Sequence, residues 1–180
     1  MPMTDDSTRS AATLRHRLNR PGLWDFALAF YAQPEVETAC LTLQDEAGVD
    51  VCELLWHCWL HRHGLGLRHA PAGLAAVHQW QVETTRPLRR LRRALKAEAL
   101  EAPGVAEVRR HIKQAELAAE RETLERLQRL SEACPELIAG SPAPFSLQKH
   151  LAKALKIQEK NHLLLLKTLE NHLDPPQPSR

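Results

Sequence analysis

The chain has 180 residues, 43% of them hydrophobic and 26% charged, a composition that supports one substantial core or two small ones. Seven glycines, 4% aromatics and an abundance of Leu, Ala, Glu, Arg and Gln exclude a β-rich fold and favour helices. Lys and Arg number 24 against 22 Asp and Glu, a formal +2. Net charge therefore assigns no partner class, and any electrostatic message lies in local segregation.

Residues 1–20 carry Asp5, Asp6, Ser and Thr and no apolar run, so they read as a flexible N-terminal segment without the features of a secretory signal. No stretch of about 18 apolar residues follows; Leu163 to Leu166 is flanked by Asn161, His162 and Lys167, which predicts no membrane span. Cys40, Cys52, Cys58 and Cys134 are too few for a disulfide scaffold and fit reduced thiols in a cytoplasm.

After Pro21-Gly22, the residues Leu23, Trp24, Phe26, Ala27, Phe30 and Tyr31 recur at helical spacing and predict a first helix closed before Pro34. Pro34 opens a second, whose stripe Val36, Cys40, Leu43, Ala47 ends at Gly48. Asp50 is placed to cap a third helix, Val51 to about His63, ahead of a Gly64/Gly66 loop. A fourth, roughly Ala72 to Ala102, contains Pro87, which should kink or divide it near Thr85. Pro103-Gly104 turns the chain into a fifth, reaching about Ser131 with Val105, Val108, Ile112, Ala115 and Ala119 as its stripe. Joined this briefly, the fourth and fifth helices should pack antiparallel. Pro135, Gly140, Pro142 and Pro144 mark a linker, followed by a sixth helix from about Leu147 to Leu173. The expected fold is all-α: a bundle over 21–132 with a long antiparallel hairpin, a linker over 133–146, a separate C-terminal helix over 147–173 and a tail over 174–180.

The densest chemical feature is RPLRRLRRALK, with Arg86, Arg89, Arg90, Arg92, Arg93 and Lys96 and no acid. On a helix these six occupy a sector of roughly 160° opposite Leu88, Leu91 and Leu95. Guanidinium groups so arranged suit an anionic partner, whether RNA, a ribonucleoprotein or an acidic protein. The competing reading is a face neutralised by Glu116, Glu120 or Glu122 of the antiparallel neighbour. No aromatic residue interleaves with the arginines, which argues against stacking on single-stranded bases.

The third helix carries Cys52, His57, Cys58, His61 and His63. Its thiols fall on an apolar surface with Val51, Leu54, Leu55 and Trp59, whereas Glu53, His57 and His61 share a narrow polar strip. His57 and His61 are the candidate metal ligands, but no further ligands stand at a recognisable spacing, and neither metal nor cofactor is expected. Trp24, Trp56, Trp59 and Trp80 predict core packing, with an aromatic pocket of a small enzyme or ligand carrier as the alternative. No nucleophile, metalloprotease, phosphate-loop or dinucleotide motif appears, and Asp25, Asp45 and Glu53 are single acids of helix surfaces, where carboxylates are usually solvated or paired rather than catalytic. Leu151, Leu155, Leu165 and Leu169 form a seam, interrupted by Gln158 and His162, that would suit a coiled-coil homodimer or packing on the bundle. The expectation is a non-enzymatic binding or adaptor protein.

The runs LWDFALAFYAQPEVETACLTLQDEAGVDVCELL, WQVETTRPLRRLRRALK and KQAELAAER resemble a proteobacterial family of conserved hypothetical proteins, a domain of unknown function, over about residues 21 to 130. Trp24, Pro34, Cys40, Gly48, Asp50, Trp80, Pro87, Arg89, Arg92, Arg93, Lys113, Glu116 and Glu120 are among the matching positions. The resemblance implies a bacterial cytoplasmic setting and makes the basic segment and the Ala-Glu-rich helix one unit. It supplies no activity, cofactor or site, and Cys52 and His57 depart from its pattern.

Overall fold

The computed structural model describes residues 18, 21–134, 137–139 and 146–173. The protein is mostly helical and divides into two compact units: the described residues of Met1–Ala70 with Ser131–Arg180, and Pro71–Leu130. The expected segments 1–20 and 174–180 lie almost entirely outside the described residues.

The first unit opens with α1 (Leu23–Tyr31), α2 (Pro34–Ala47) and α3 (Val51–Arg62). The local rules read from sequence operate here. Pro34 occupies the first turn of α2, and Gly48 closes it at φ 65°, a left-handed position that glycine adopts without a Cβ penalty. The turn is fastened by Val49 N donating to Leu43 O at 3.1 Å. The Asp50 carboxylate then accepts from Glu53 N at 2.9 Å and starts α3. Leu54, Trp56, Cys58, Trp59 and Leu60 are buried, so α3 runs through the core of this unit.

Three features of this unit correct the expectation. The Gly64/Gly66 loop contains β1 (Leu65–Leu67), antiparallel to β2 (Leu137–Ala139), so part of the expected linker is a strand. Leu67 pairs with Leu137, and Gly66 pairs with Ile138. Three residues are too short for an alternation to show in sequence.

The second correction is that the sixth helix is two, α7 (Leu147–Ala154) and α8 (Lys160–His172). Lys156 takes φ 55°, and neither glycine nor proline announces the break. Breaking the helix lets Leu147 and Leu151 of α7, Ile157 of the turn, and Leu166 and Leu169 of α8 all be buried.

Thirdly, the C-terminal helices do not stand apart. Gln148 Nε2 donates to Leu163 O at 2.7 Å, which ties α7 to α8. Two histidines of α8 meet two carboxylates of α2: His162 Nε2 lies 3.2 Å from Glu46 Oε2, and His172 Nε2 lies 3.6 Å from Glu35 Oε2. The unit thus gathers the two ends of the described chain, where a bundle over 21–132 was expected.

The second unit is the antiparallel hairpin. Its first arm is α4 (Leu74–Trp80), a π-helical turn (Gln81–Thr85), α5 (Arg86–Ala94) and a 3₁₀ turn (Glu98–Leu100); its second is α6 (Pro103–Ala133), of which Ser131 to Ala133 belong to the first unit. Pro87 divides the first arm where expected. It has no N–H, and its ring crowds the carbonyl one turn earlier, so the chain takes up an extra residue in a π turn before α5 begins. The arms run in opposite directions. Gly73 faces Leu130 so closely that a Cβ there would lie 2.6 Å from Leu130 Cδ1. Trp80 Nε1 donates to Ala119 O at 3.3 Å, and Arg109 Nε donates to Arg92 O at 3.2 Å.

Candidate functional site: the arginine helix of the hairpin

The nine residues of α5 include Arg86, Arg89, Arg90, Arg92 and Arg93, and none of the nine is buried. The helix divides its cations into two sets. Arg89 and Arg92 turn inward across the hairpin. Arg89 Nε donates to Glu116 Oε1 at 2.9 Å and its NH2 group to Glu120 Oε1 at 2.5 Å, while Arg92 Nε donates to Glu116 Oε2. The Glu116 side chain is 5% exposed. Burial by itself would raise its pKa, but the hydrogen bonds and charges of Arg92 and Arg89 hold it below the usual carboxylate value. Both guanidinium groups are correspondingly held more firmly in the charged form. Two of the six predicted binding residues are therefore interhelical ties, supplied by the neighbouring-helix carboxylates that sequence had named as the competing reading. Glu122, the third acid of that reading, instead bonds to Arg126 and Arg129 along α6.

Arg86, Arg90, Arg93 and Lys96 are exposed. Residues three, four and seven apart share a helix face, so Arg86, Arg89 and Arg93 form one row on α5. Lys113, Leu117 and Glu120 form another on α6. The bond from Arg89 to Glu120 sets these rows along the same flank of the hairpin. From Arg86 to Lys113 the chain holds nine Lys and Arg against three Glu, in a protein whose formal charge is +2.

The opposite flank is different in kind. Leu91, turned about 160° from Arg89 on the helix, is 49% exposed, and Val108 on α6 is 51% exposed. Arg126, on the same side of α6 as Val108, lies with its guanidinium carbon 4.2 Å from the Trp80 ring centroid. The expected stripe of α6 is thus only partly inward, because Val108 and Ala115 face outward while Glu116, Ala119 and Thr123 are buried.

Sequence reasoning missed a polar seam inside the hairpin. Gln81, Thr85, Glu116 and Thr123 are all buried. Thr123 Oγ1 donates to Ala119 O at 2.9 Å, but Gln81 Oε1 and Thr85 Oγ1 make no hydrogen bond among the described residues. Both orphans sit in the π turn. The only available signal was Pro87, which marks the disturbance without saying which side chains it turns inward.

The family model described as Protein of unknown function (DUF2390) matches residues 22–127. The chain belongs to this family. The DUF2390 match takes in α1 to α5 and α6 as far as Leu127, and so includes both sets of arginines with Glu116 and Glu120. It stops before β2, α7 and α8. Comparison with curated proteins and with solved structures gives no match.

The other sequence candidates fall elsewhere. Trp56 and Trp59 are fully buried in the first unit, with Nε1 donating to Ser131 Oγ at 2.6 Å and Pro21 O at 2.9 Å. Trp24 belongs to the same unit, and Trp80 belongs to the hairpin. Leu151 and Leu169 are buried, and the four leucines are divided, with Leu151 in α7, Leu155 capping its C-terminus, and Leu165 and Leu169 in α8. That corrects the coiled-coil seam, which required one continuous helix with an open apolar edge.

His57 is also corrected: it is buried rather than on a polar surface strip. Its Nδ1 lies 3.2 Å from His150 Nε2 of α7. Burial and the His150 charge push the His57 pKa down to about 3, and burial lowers His61 as well. Among the described residues no cluster of His, Cys, Asp or Glu is arranged to hold a metal ion. Burial pushes Cys40 up to about 12 and raises Cys58 well above the ordinary thiol value, leaving thiols rather than nucleophilic thiolates. No helix among the described residues is long and apolar enough to cross a membrane.

Proposed function

We propose that the protein is a non-enzymatic cytoplasmic binding or adaptor protein whose hairpin engages an anionic partner through Arg86, Arg90, Arg93 and Lys96. The observation that carries this reading is the division of labour on α5. Arg89 and Arg92 are consumed in holding the arms together, while the remaining cations are exposed on a helix that contains no acid. A helix needs nothing like this charge density for stability, since exposed like charges one turn apart repel each other. The opposed cost is offset when an anion binds. Among the described residues of the first unit, His57 is buried and Cys40 and Cys58 are held as thiols.

Purification from a low-salt native lysate tests the reading, with wild type beside the Arg86→Gln/Arg90→Gln/Arg93→Gln variant and both protein and nucleic acid identified in the eluates. An anionic partner held by wild type and lost by the variant is the expected result. Identical eluates would contradict it.

A further inference from the structure

We infer that the cationic flank of the hairpin binds the acidic outer face of α2 on a second copy of this chain; the inference rests on the anionic-partner reading above and names the partner. The first ground is the way the chain divides its charge. Residues 21–61, which span α1, α2 and α3 as far as His61, hold seven Asp and Glu and no Lys or Arg. Residues 86–96 hold six Lys and Arg and no acid. The small formal charge of +2 conceals two segments of opposite sign, and any two copies can set one against the other.

The second ground is that two helices present matching rows. Val36, Cys40 and Leu43 turn the inner side of α2 into the core, and Glu35 and Glu46 meet the histidines of α8. Glu37, Leu41 and Asp45, four residues apart, form a row on the outer side, and all three are exposed. On α6, Lys113, Leu117 and Arg121 form a row of the same spacing and are likewise exposed. Arg121 also pairs with Glu125 along its helix. In each row the charges stand about 6 Å to either side of a central leucine. Laid one on the other, in either direction, the rows pair Leu41 with Leu117 and set an acid against a base at both ends. Arg86 and Arg93, exposed on the same flank of the hairpin, add to the field that draws an acidic face.

The third ground is what the leucines select. A nucleic-acid backbone offers phosphate and sugar, and it leaves a leucine at the centre of the contact without an apolar partner. Leu41 is 41% exposed and Leu117 is 52% exposed. An apolar contact rimmed by charges, with arginines beside it, is the anatomy of a protein–protein interface. The seven acids of residues 21–61 also repel a polyphosphate while attracting the hairpin. Both rows lie within residues 22–127, the span of the family match, so the interface draws on no residue of β2, α7 or α8.

The test is sedimentation velocity on the full chain across a wide range of protein concentration, at about 50 and about 500 mM salt. The variants are Glu37→Lys/Asp45→Lys and Lys113→Glu/Arg121→Glu, with circular dichroism melting to confirm that each is folded. Wild type should pass from one chain to an assembly of chains as its concentration rises, and high salt should move that transition to higher concentration. Each variant alone should self-associate about tenfold more weakly or worse, because like charges then face each other. An equimolar mixture of the two should associate again, since the intact hairpin of one meets the intact α2 of the other and the two reversed rows are complementary as well. Leu117→Gln, a single change at an exposed position, supplies the same reading if a reversal does not fold, and should weaken association by about fivefold. A wild type that remains one chain throughout, folded variants that associate as wild type does, or a mixture that does not associate overturns the inference. The lysate experiment judges the anionic-partner reading separately: a single-chain wild type whose retained partner is lost on Arg86→Gln/Arg90→Gln/Arg93→Gln overturns the inference and leaves that reading standing.

Discussion

Arg89 and Glu116, 27 residues apart in the chain, meet at 2.9 Å across the hairpin, and the same carboxylate also accepts from Arg92. Nothing in α5 is buried, so this ion cluster stands where an apolar layer would ordinarily join two helices. Glu116→Gln removes the charge and leaves Arg89 and Arg92 facing a neutral amide. Loss of a charge-assisted hydrogen-bond pair at a carboxylate this buried should destabilise the protein by about 1.5–3 kcal/mol, read by urea denaturation. The sign with pH follows. The folded-state pKa of Glu116 is depressed, so its contribution is present above the unfolded carboxylate value and is lost as pH falls through the folded one. The variant should lose that acid-sensitive component.

Thr85 offers the opposite outcome. Its Oγ1 is buried in the π turn without a hydrogen-bond partner among the described residues. Thr85→Val keeps the shape and removes the unsatisfied hydroxyl, so stability should rise by about 1 kcal/mol. Thermal unfolding reads the change, and a lower melting temperature would show that the hydroxyl is satisfied in solution.

The contact between buried His57 and half-buried His150 makes the first unit acid-sensitive. One imidazole must donate and the other accept, so the pair excludes a second proton. The His57 pKa is depressed to about 3, and the unfolded state therefore binds the proton first as pH falls below about 6.5. The stability contributed by neutral His57 is complete above that value and declines steadily toward pH 3. Between pH 7.5 and pH 5 the loss from His57 alone should be about 2 kcal/mol. Denaturation of wild type and His57→Gln at both pH values checks it, with a smaller pH dependence expected in the variant.

The hairpin was legible in sequence because each of its causes is local. Pro87 has to interrupt a helix, Pro103-Gly104 has to turn one, and the charges of RPLRRLRRALK have acids waiting at the right spacing on the next arm. Which arginines would be taken by those acids was not legible. It depends on the rotation of α5 about its axis, and the extra residue of the π turn sets that rotation. The C-terminal break at Lys156 left no mark either, because a left-handed lysine is held by the burial of Ile157, Leu166 and Leu169 rather than by its own preference. His57 was misplaced for a similar reason. Its position on α3 looks polar until α7, arriving from 93 residues away, covers it with His150.

The four thiols give a further check on the first unit. Cys40, Cys52, Cys58 and Cys134 are all buried, and Cys40 is raised to about 12. A thiol-reactive disulfide reagent should titrate none of them promptly in native buffer and all four in guanidinium chloride. Prompt reaction in the native state would mean that the core around α3 opens.

The division of α5 into structural arginines and proposed binding arginines is tested most directly by comparing Arg89→Gln with Arg90→Gln for both melting temperature and retention of an anionic partner from low-salt lysate. Arg89→Gln should lower the melting temperature, and Arg90→Gln should leave it unchanged while weakening partner binding. A folded Arg90→Gln protein that binds as wild type does, or an Arg89→Gln protein that melts as wild type does, would contradict the division.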